Sequence, residues 1–133
     1  MINIENVRID LFKISKKEFP GHKRVAAIAL RNKSFWIGTN TRKSHPKMFR
    51  KFRNGQESAC CHAEVYAILQ VPRQCRPNIE LYVLRFLRNG NISCAKPCNF
   101  CQSFIEENNI NFKNVFYSDW DWNGNWICLA DSI

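Results

Sequence analysis

Two cysteines near residue 100 are the first side chains in this sequence whose types and spacing could do chemistry. The segment Pro97-Cys98-Asn-Phe-Cys101 places the two thiols at positions i and i+3. On a helix that spacing puts both side chains on one face, with Cβ atoms about 5–6 Å apart, and zinc–thiolate bonds of about 2.3 Å can close that gap. By itself the pair also fits a redox couple, half of a structural zinc site or coincidence. The sequence has no second Cys-x-x-Cys to complete a four-sulfur site.

The tripeptide His62-Ala63-Glu64 supplies a third possible metal ligand, an imidazole, and a carboxyl group. It opens one predicted helix, just as Cys98 opens another, and two helices that run the same way on one face of a sheet bring their N-termini together. Three ligands of types His, Cys and Cys leave a fourth tetrahedral position open, which is typical of a catalytic zinc. Zinc lowers the pKa of water toward neutrality, and Glu64 has the reach to carry protons without binding the metal. The plainer alternative is a histidine that only caps its helix or packs in the core.

Several elements must position these residues. Apolar residues at helical spacing predict an amphipathic helix over much of 3–18. Further helices are predicted from about Ser58, as N-cap, to Leu69 and from Pro97 to about Asn108. Strands are predicted at 24–30, 34–38, 79–86, 114–118 and 125–129, and a long loop at 41–57. This order predicts one domain spanning residues 1–133, a three-layer α/β/α fold with a mixed five-stranded sheet.

Charge is distributed unevenly along the chain. Of the formal net charge of +9, residues 1–53 carry 14 basic against 3 acidic side chains, whereas residues 54–133 carry 6 against 8. The densest part has six basic and no acidic residues: Arg42, Lys43, Lys47, Arg50, Lys51 and Arg53. Such a cluster attracts phosphate, on either a nucleotide or a polynucleotide. The alternative is a solvated surface loop.

Composition narrows the protein class. Hydrophobic residues make up 45% and charged residues 23%, as in soluble globular proteins, and no run approaches the roughly 20 apolar residues of a membrane span. The first residues lack the features of a signal peptide. Seven cysteines, an odd number, fit a reducing compartment better than a disulfide framework. We therefore expect a cytoplasmic protein with no membrane partner, in which most cysteines outside the Cys98/Cys101 pair are small core residues.

The combined pattern His62-x-Glu64 … Pro97-Cys98-x-x-Cys101 resembles the zinc signature of the cytidine and deoxycytidylate deaminase superfamily. The resemblance implies a hydrolase acting on a C–N bond of a cyclic amidine. It assigns Zn²⁺ to His62, Cys98 and Cys101 and proton transfer to Glu64. Members are often oligomers, so a homo-oligomer is also implied.

The similarity extends beyond these motifs over roughly residues 24–130. Gly38-Thr39-Asn40, at the end of the second predicted strand, is similar to the family's Gly-x-Asn, whose Asn binds the sugar. The resemblance leaves the substrate open, because two hints disagree. A histidine as first ligand is typical of the deoxycytidylate, tRNA and polynucleotide branches. The turn Asn123-Gly124 instead predicts an antiparallel last strand, as in free-cytidine deaminases, whereas the adenosine and deoxycytidylate branches typically have a helix before a parallel last strand.

Our first interpretation is an enzyme that converts cytosine to uracil in a free (deoxy)cytidine nucleoside or monophosphate. Asn40 would then bind the sugar, and Arg42, Lys43 and His45 the phosphate, with Ala63 and Trp120 as further substrate contacts. The alternative is a cytosine deaminase that acts on single-stranded DNA or RNA. The basic first half favours it, as do four tryptophans, since bases stack on indoles beside basic grooves. Most tryptophans are core residues, but Trp120 and Trp122 lie in a polar segment and are predicted to be exposed.

Overall fold

The computed structural model describes residues 24–32, 34–39, 41–44, 50–51, 57–58, 60–87, 91–120, 122 and 124–132. The helix predicted over 3–18 lies outside the described residues. Within them, the strands are β1 Arg24–Arg31, β2 Ser34–Thr39, β3 Thr41–Ser44, β4 Arg50–Lys51, β5 Glu57–Ser58, β6 Cys60–Cys61, β7 Glu80–Phe86, β8 Ile92–Ser93, β9 Val115–Tyr117 and β10 Ile127–Cys128. The α-helices are α1 Ala63–Gln70 and α2 Asn99–Glu107, and 3-10 helices cover Arg73–Asn78, Phe112–Asn114 and Leu129–Ser132.

The central sheet has the strand order β10-β9-β7-β1-β2, and β8 pairs with β7 beside this path. Strands β2 and β7 are each antiparallel to β1, so they run in the same direction. Strand β9 is parallel to β7, whereas β10 is antiparallel to β9. The predicted mixed sheet of five strands is therefore confirmed, and β8 is an addition that the sequence did not indicate.

The predicted hairpin between β1 and β2 is also confirmed, with pairs running from Ala26↔Thr39 to Arg31↔Ser34. Asn32, in its turn, has a φ of 53°. Asparagine is among the few residues that adopt this left-handed conformation readily. The turn residues therefore hold the two strands in a single register.

The prediction of an unstructured loop over 41–57 was wrong in part. Strand β3 pairs with β6, and β4 pairs with β5, all antiparallel. Each of these strands has at most four residues, which is too short for periodicity to reveal. Their pairing brings the chain to the beginning of α1.

Both helices begin later than the sequence predicted. Ser58, the predicted N-cap of α1, lies in β5, and the observed N-cap is His62. Helix α2 begins at Asn99 with Cys98 as its N-cap, so Pro97 precedes the helix instead of being its first residue. In both cases the N-cap is a predicted zinc ligand.

Alternation along β7 divides the core into two hydrophobic clusters, one on each face of the sheet. Leu81 and Val83 belong to the larger cluster, together with buried residues of α1 and α2 such as Ile68 and Phe104. Leu84 and Phe86 belong to the smaller cluster on the other face, against which Trp122 and Trp126 pack. Both helices therefore lie on the same face of the sheet, as the site requires.

Side-chain hydrogen bonds fix the C-terminal ends of the two helices. The Arg76 guanidinium donates to the carbonyls of Leu69 and Val71 at the end of α1, at 3.3 and 3.0 Å. It also donates to Oδ1 of Asn108, the C-cap of α2, at 3.0 Å. Nearby, Nε2 of Gln70 donates to the carbonyl of Ile37 in β2 at 2.7 Å.

Within the described residues, no helix has the length and apolar character needed to cross a membrane.

Candidate active site

Helices α1 and α2 lie in the connections between strands of the central sheet that run in the same direction. Helix α1 connects β2 to β7, and α2 lies between β7 and β9; β2 and β7 share one direction and β9 is parallel to β7. Both helices therefore begin at the edge of the sheet where these strands end, which is the usual location of ligand sites in α/β sheets. The predicted meeting of the two N-termini is confirmed.

His62 and Glu64 occupy the beginning of α1. The backbone at His62 is extended, with φ −77° and ψ 151°, and its carbonyl accepts the first helical hydrogen bond from the Tyr66 N–H at 2.9 Å. The His62 side chain is half-buried, whereas Glu64 is only 5% exposed. The rings of Phe100 and His62 are arranged edge-to-face, with centroids 6.5 Å apart and planes at 68°.

Cys98 and Cys101 occupy the beginning of α2. The Cys98 carbonyl accepts from the N–H of Gln102 at 2.9 Å, and Nε2 of Gln102 donates to the Pro97 carbonyl at 2.8 Å. Cys98 is exposed and Cys101 is buried. One thiol is therefore open to solvent, and the other is enclosed by the core.

Hydrogen bonds to the sheet hold the segment that leads to Cys98. The Ala95 N–H donates to the Ser118 carbonyl at 2.9 Å, and the Ser118 N–H donates to the Val83 carbonyl at 3.1 Å. The Ser118 hydroxyl, which is buried, donates to the Ser93 carbonyl at 2.7 Å. Ser118 thus connects β7, the end of β9 and the approach to Cys98, and fixes the position of the thiols relative to the sheet.

The three predicted ligands are close together. Nδ1 of His62 is 3.6 Å from Sγ of Cys98 and 3.3 Å from Sγ of Cys101. All three donor atoms lie within 4.8 Å of one another. Zinc bonds of about 2.0–2.1 Å to nitrogen and 2.3 Å to sulfur, at tetrahedral angles, would separate these atoms by about 3.6 Å. The donor set therefore fits a zinc ion in spacing and in chemical type.

The protonation equilibria of these groups are strongly coupled. The pKa of the Cys98 thiol is lowered to about 4, chiefly because Cys101 donates a hydrogen bond to its sulfur and also because His62 is adjacent. The pKa of Cys101 is raised, first because it makes that hydrogen bond and then because it is buried. The hydrogen bond with Cys98 raises the pKa of His62. The lowered pKa favours Cys98 as a thiolate, whereas Cys101 would have to lose its proton to bind a metal.

Glu64 lies beside this group of ligands. Burial raises the pKa of its carboxyl group, and a hydrogen bond with the Cys101 thiol partly opposes that shift. The hydrogen bond places the carboxyl group next to a predicted ligand. A buried carboxyl group with a raised pKa is suited to accept and donate a proton near neutral pH.

The predicted substrate residues are only partly described. Asn40 and His45 lie outside the described residues, and Arg42 and Lys43 are described only through the backbone of β3. Ala63 is buried as the first residue of α1. Trp120 is 69% exposed, two residues beyond Ser118 at the sheet edge where the helices begin.

The burial of the other tryptophans and cysteines can be compared with the predictions from the sequence. Trp122 is less exposed than predicted: it is half-buried and packs edge-to-face on Trp126, with centroids 5.0 Å apart. Cys75 and Cys94 are partly buried against the core, as expected. The side chains of Cys60 and Cys61 are not described.

Sequence reasoning missed two neighbours of the site. Phe100 contacts His62 from between the two cysteines, and its position within the motif was the available signal. Gly38 lies against the first turn of α1, and an alanine there would be too close to the helix backbone. A contact between residues so far apart in the chain leaves no trace in local spacing.

Comparison with solved structures shows relatives of this fold. Two solved structures of Mycobacterium tuberculosis cytidine deaminase are similar in fold. A mutant form has a TM-score of 0.59 and 14% identity, covering 99% of this chain and 95% of that one. The second structure has a TM-score of 0.56 and 15% identity, covering 99% and 94%. No curated protein sequence gave a significant match.

A family model provides the sequence-level evidence. The model described as the cytidine and deoxycytidylate deaminase zinc-binding region matches residues 9–118. The match includes both motifs, and the donor atoms of His62, Cys98 and Cys101 are grouped in space as a zinc-binding region requires. This chain belongs to the cytidine and deoxycytidylate deaminase zinc-binding family.

Proposed function

We propose that this protein is a zinc-dependent hydrolytic deaminase that converts cytosine to uracil in a free (deoxy)cytidine nucleoside or its monophosphate. Water is the co-reactant: its oxygen adds to C4 of the ring, the bond from C4 to the exocyclic nitrogen breaks, and ammonia leaves. The family membership and the grouped His62, Cys98 and Cys101 donors support the chemistry. Further observations favour the free substrate.

The chemistry requires activation of water and movement of protons. Zinc held by His62, Cys98 and Cys101 would supply Lewis acidity that lowers the pKa of water to about 7. Glu64 would take a proton from the water, deliver it to the ring nitrogen and assist departure of ammonia. Its burial and its hydrogen bond with Cys101 support this role, because a proton carrier must be within hydrogen-bonding reach of the reacting atoms.

The direction of the last strand is the observation that supports our choice of substrate. Strand β10 is antiparallel to β9, with Ile127 opposite Tyr117 and Cys128 opposite Phe116. Gly124, in the connection, has a φ of +94°, which suits a tight turn and strains other residues. The described residues between the two strands form no helix. By the family resemblance, this arrangement favours the free nucleoside over the monophosphate within the proposal, and it argues against an adenosine substrate. The histidine ligand remains the feature that points the other way.

For substrate binding we propose Asn40 on the sugar, Arg42, Lys43 and His45 on a phosphate where one is present, and Ala63 and Trp120 beside the base or sugar. The exposure of Trp120 at the sheet edge that carries the helix N-termini supports its part in this proposal. The test is ammonia release from cytidine, deoxycytidine, both monophosphates, adenosine and single-stranded oligonucleotides. Turnover of the cytosine mononucleosides or mononucleotides is expected, and turnover of oligonucleotides alone would contradict the proposal.

One observation favours the alternative, a deaminase of single-stranded nucleic acid. Trp120 is 69% exposed, and an exposed indole in a chain whose residues 1–53 carry a net charge of +11 could stack on a base. The test is binding of a cytosine-rich oligonucleotide to Glu64→Ala at several salt concentrations. Contacts with several phosphates would make log affinity fall with log salt by about 0.7 per phosphate, whereas one phosphate gives a shallow slope. Steep, tight binding together with deamination by the parent protein would select this alternative.

A further inference from the structure

Strand β2 and helix α1 touch through their backbones at Gly38. An ideal Cβ built on Gly38 would lie 2.4 Å from the carbonyl oxygen of Ala63 and 2.5 Å from the backbone nitrogen of Ala67. Cβ atoms essentially never approach another atom closer than 3.0 Å. Both neighbouring atoms belong to the helix backbone, so no side-chain rotation could relieve the contact. Gly38 therefore sets the closest distance between strand and helix.

The contact occurs at the part of α1 that carries the chemistry. The Ala63 carbonyl belongs to the peptide unit that joins Ala63 to Glu64, one residue after His62. Ala63 and Ala67 are both buried, so the helix presents small residues toward the sheet here. Any outward movement of this turn moves His62 and Glu64 with it.

Helix α2 is positioned by separate contacts. The approach to Cys98 is bonded to the sheet through Ala95 and Ser118, and Gln102 holds the Pro97 carbonyl. Gly38 is not among the partners of these bonds. A shift of α1 alone would therefore change the distances between Nδ1 of His62 and the two sulfur atoms, now 3.6 and 3.3 Å.

We propose that Gly38 is a positioning residue for the metal site and for Glu64. This inference rests on the proposed deaminase function for its effect on turnover, but not for its effect on metal binding. Relieving the contact in a Gly38→Ala variant, from 2.4 Å to an ordinary 3.4 Å, requires β2 and the first turn of α1 to move apart by about 1 Å. A misplacement of that size can lower turnover by about 10²-fold.

The experiment compares the parent with Gly38→Ala in two measurements. The first is titration of the metal-free protein with Co²⁺ and then Zn²⁺, followed through the cobalt absorption bands that report ligand geometry. We expect metal affinity to fall by about 10–100-fold, the range seen when groups that orient a ligand are changed, and the cobalt bands to shift. The second is cytidine deamination by the zinc-loaded proteins, where we expect about a 10²-fold loss.

Gly124→Ala is the matched control. It adds the same methyl group to another glycine, where no atom lies within 4 Å, but φ is +94°. The control should lose stability through backbone strain while keeping the parent's cobalt spectrum and metal affinity. Thermal unfolding of both variants allows comparison at matched stability. An unchanged spectrum and affinity in folded Gly38→Ala would overturn the proposal.

The remaining outcomes are also decisive. If Gly38→Ala is poorly folded, the cobalt titration is repeated with a stabilising osmolyte, which favours the compact state. A chain that stays unfolded even then would overturn the proposal, because Gly38 would be required for the whole fold and not for the site. If the parent binds zinc but deaminates no cytosine substrate, the proposed function fails, while the shifted cobalt spectrum of Gly38→Ala still supports the positioning role.

Discussion

Helices α1 and α2 carry the three proposed zinc ligands at their N-terminal ends, but different contacts hold those two ends in place. Helix α1 rests on β2 through a backbone contact at Gly38 and is fixed at its far end by Arg76. Helix α2 is anchored by the fully buried Phe104 and Ile105 and by the hydrogen bonds that precede Cys98. Both helices bury apolar side chains, Ile68 of α1 among them, but a backbone contact with β2 limits the beginning of α1, whereas hydrogen bonds hold the beginning of α2. The two helices should therefore respond differently to mutation.

The largest expected effect is loss of the metal through α2. Cys101→Ser, and likewise Cys98→Ser, should remove zinc, because three protein ligands are needed to hold a catalytic ion in a tetrahedral site. Elemental analysis should find about one zinc per parent chain and almost none in the variants. Thermal unfolding should also show destabilisation, since metal binding is coupled to folding. Full retention of zinc without either thiol would remove α2 from the site.

The next effect belongs to α1 and should leave the metal in place. Glu64→Ala should keep zinc and the fold but lower turnover by about 10²–10⁴-fold, because proton transfer is removed. Glu64→Gln is the size-matched control and should be similarly impaired, since an amide cannot carry the proton. Zinc content and steady-state rates measured on the same preparation test both points. A variant as fast as the parent would assign proton transfer to another residue.

The third prediction concerns the stability contributed by Phe104, a buried side chain of α2. Phe104→Ala removes a fully buried ring and should lower the free energy of unfolding by about 3–5 kcal/mol. Denaturant unfolding of the zinc-loaded protein measures this change. Gln102→Ala tests the hydrogen-bonded part of the same anchor and should cost about 0.5–1.5 kcal/mol. If the two variants were equally stable, burial would not be the main force holding α2.

A smaller loss of stability than that of Phe104→Ala is expected at the far end of α1. Arg76→Ala removes hydrogen bonds from a charged group to the Leu69 and Val71 carbonyls and to Asn108, and should cost about 1.5–3 kcal/mol. Arg73→Ala, an exposed arginine in the same 3-10 helix, is the matched control and should change stability by less than about 0.5 kcal/mol. Equal losses in both variants would mean that the bonds of Arg76 do not stabilise the helix ends.

The difference between the two helices also explains which helix boundary could be predicted from the sequence. The beginning of α2 was predicted to within two residues because Pro97 marks it, and proline restricts the backbone wherever it occurs. The beginning of α1 was misplaced because Ser58 has the chemistry of an N-cap but pairs instead with Arg50 in a two-residue strand. Such a strand is stabilised by its partner, which local periodicity does not reveal.

The zinc ligands were predictable because their types and spacing are chemical requirements. The antiparallel β10 was indicated by Asn123-Gly124, and Gly124 has a positive φ in the longer connection that the structure places between Tyr117 and Ile127. The roles of Gly38, Phe100 and Arg76 could not be predicted, since each depends on contacts formed only after distant segments pack. The roles of Asn40, Arg42, Lys43, His45 and Trp120 stay predictions.

The hydrogen bond from Gln70 to strand β2 affects self-association of the protein at high concentration. Strand β2 is the outermost strand on its side of the described sheet, and the side chain of Phe35 on it is 61% exposed. An outer strand with an exposed aromatic residue is a template on which another chain can add a strand and begin to aggregate. The Gln70 amide already occupies the Ile37 carbonyl in that strand. An incoming chain would have to displace this amide before it could pair with the Ile37 carbonyl. The Gln70 hydrogen bond therefore makes self-association along this sheet edge less favourable.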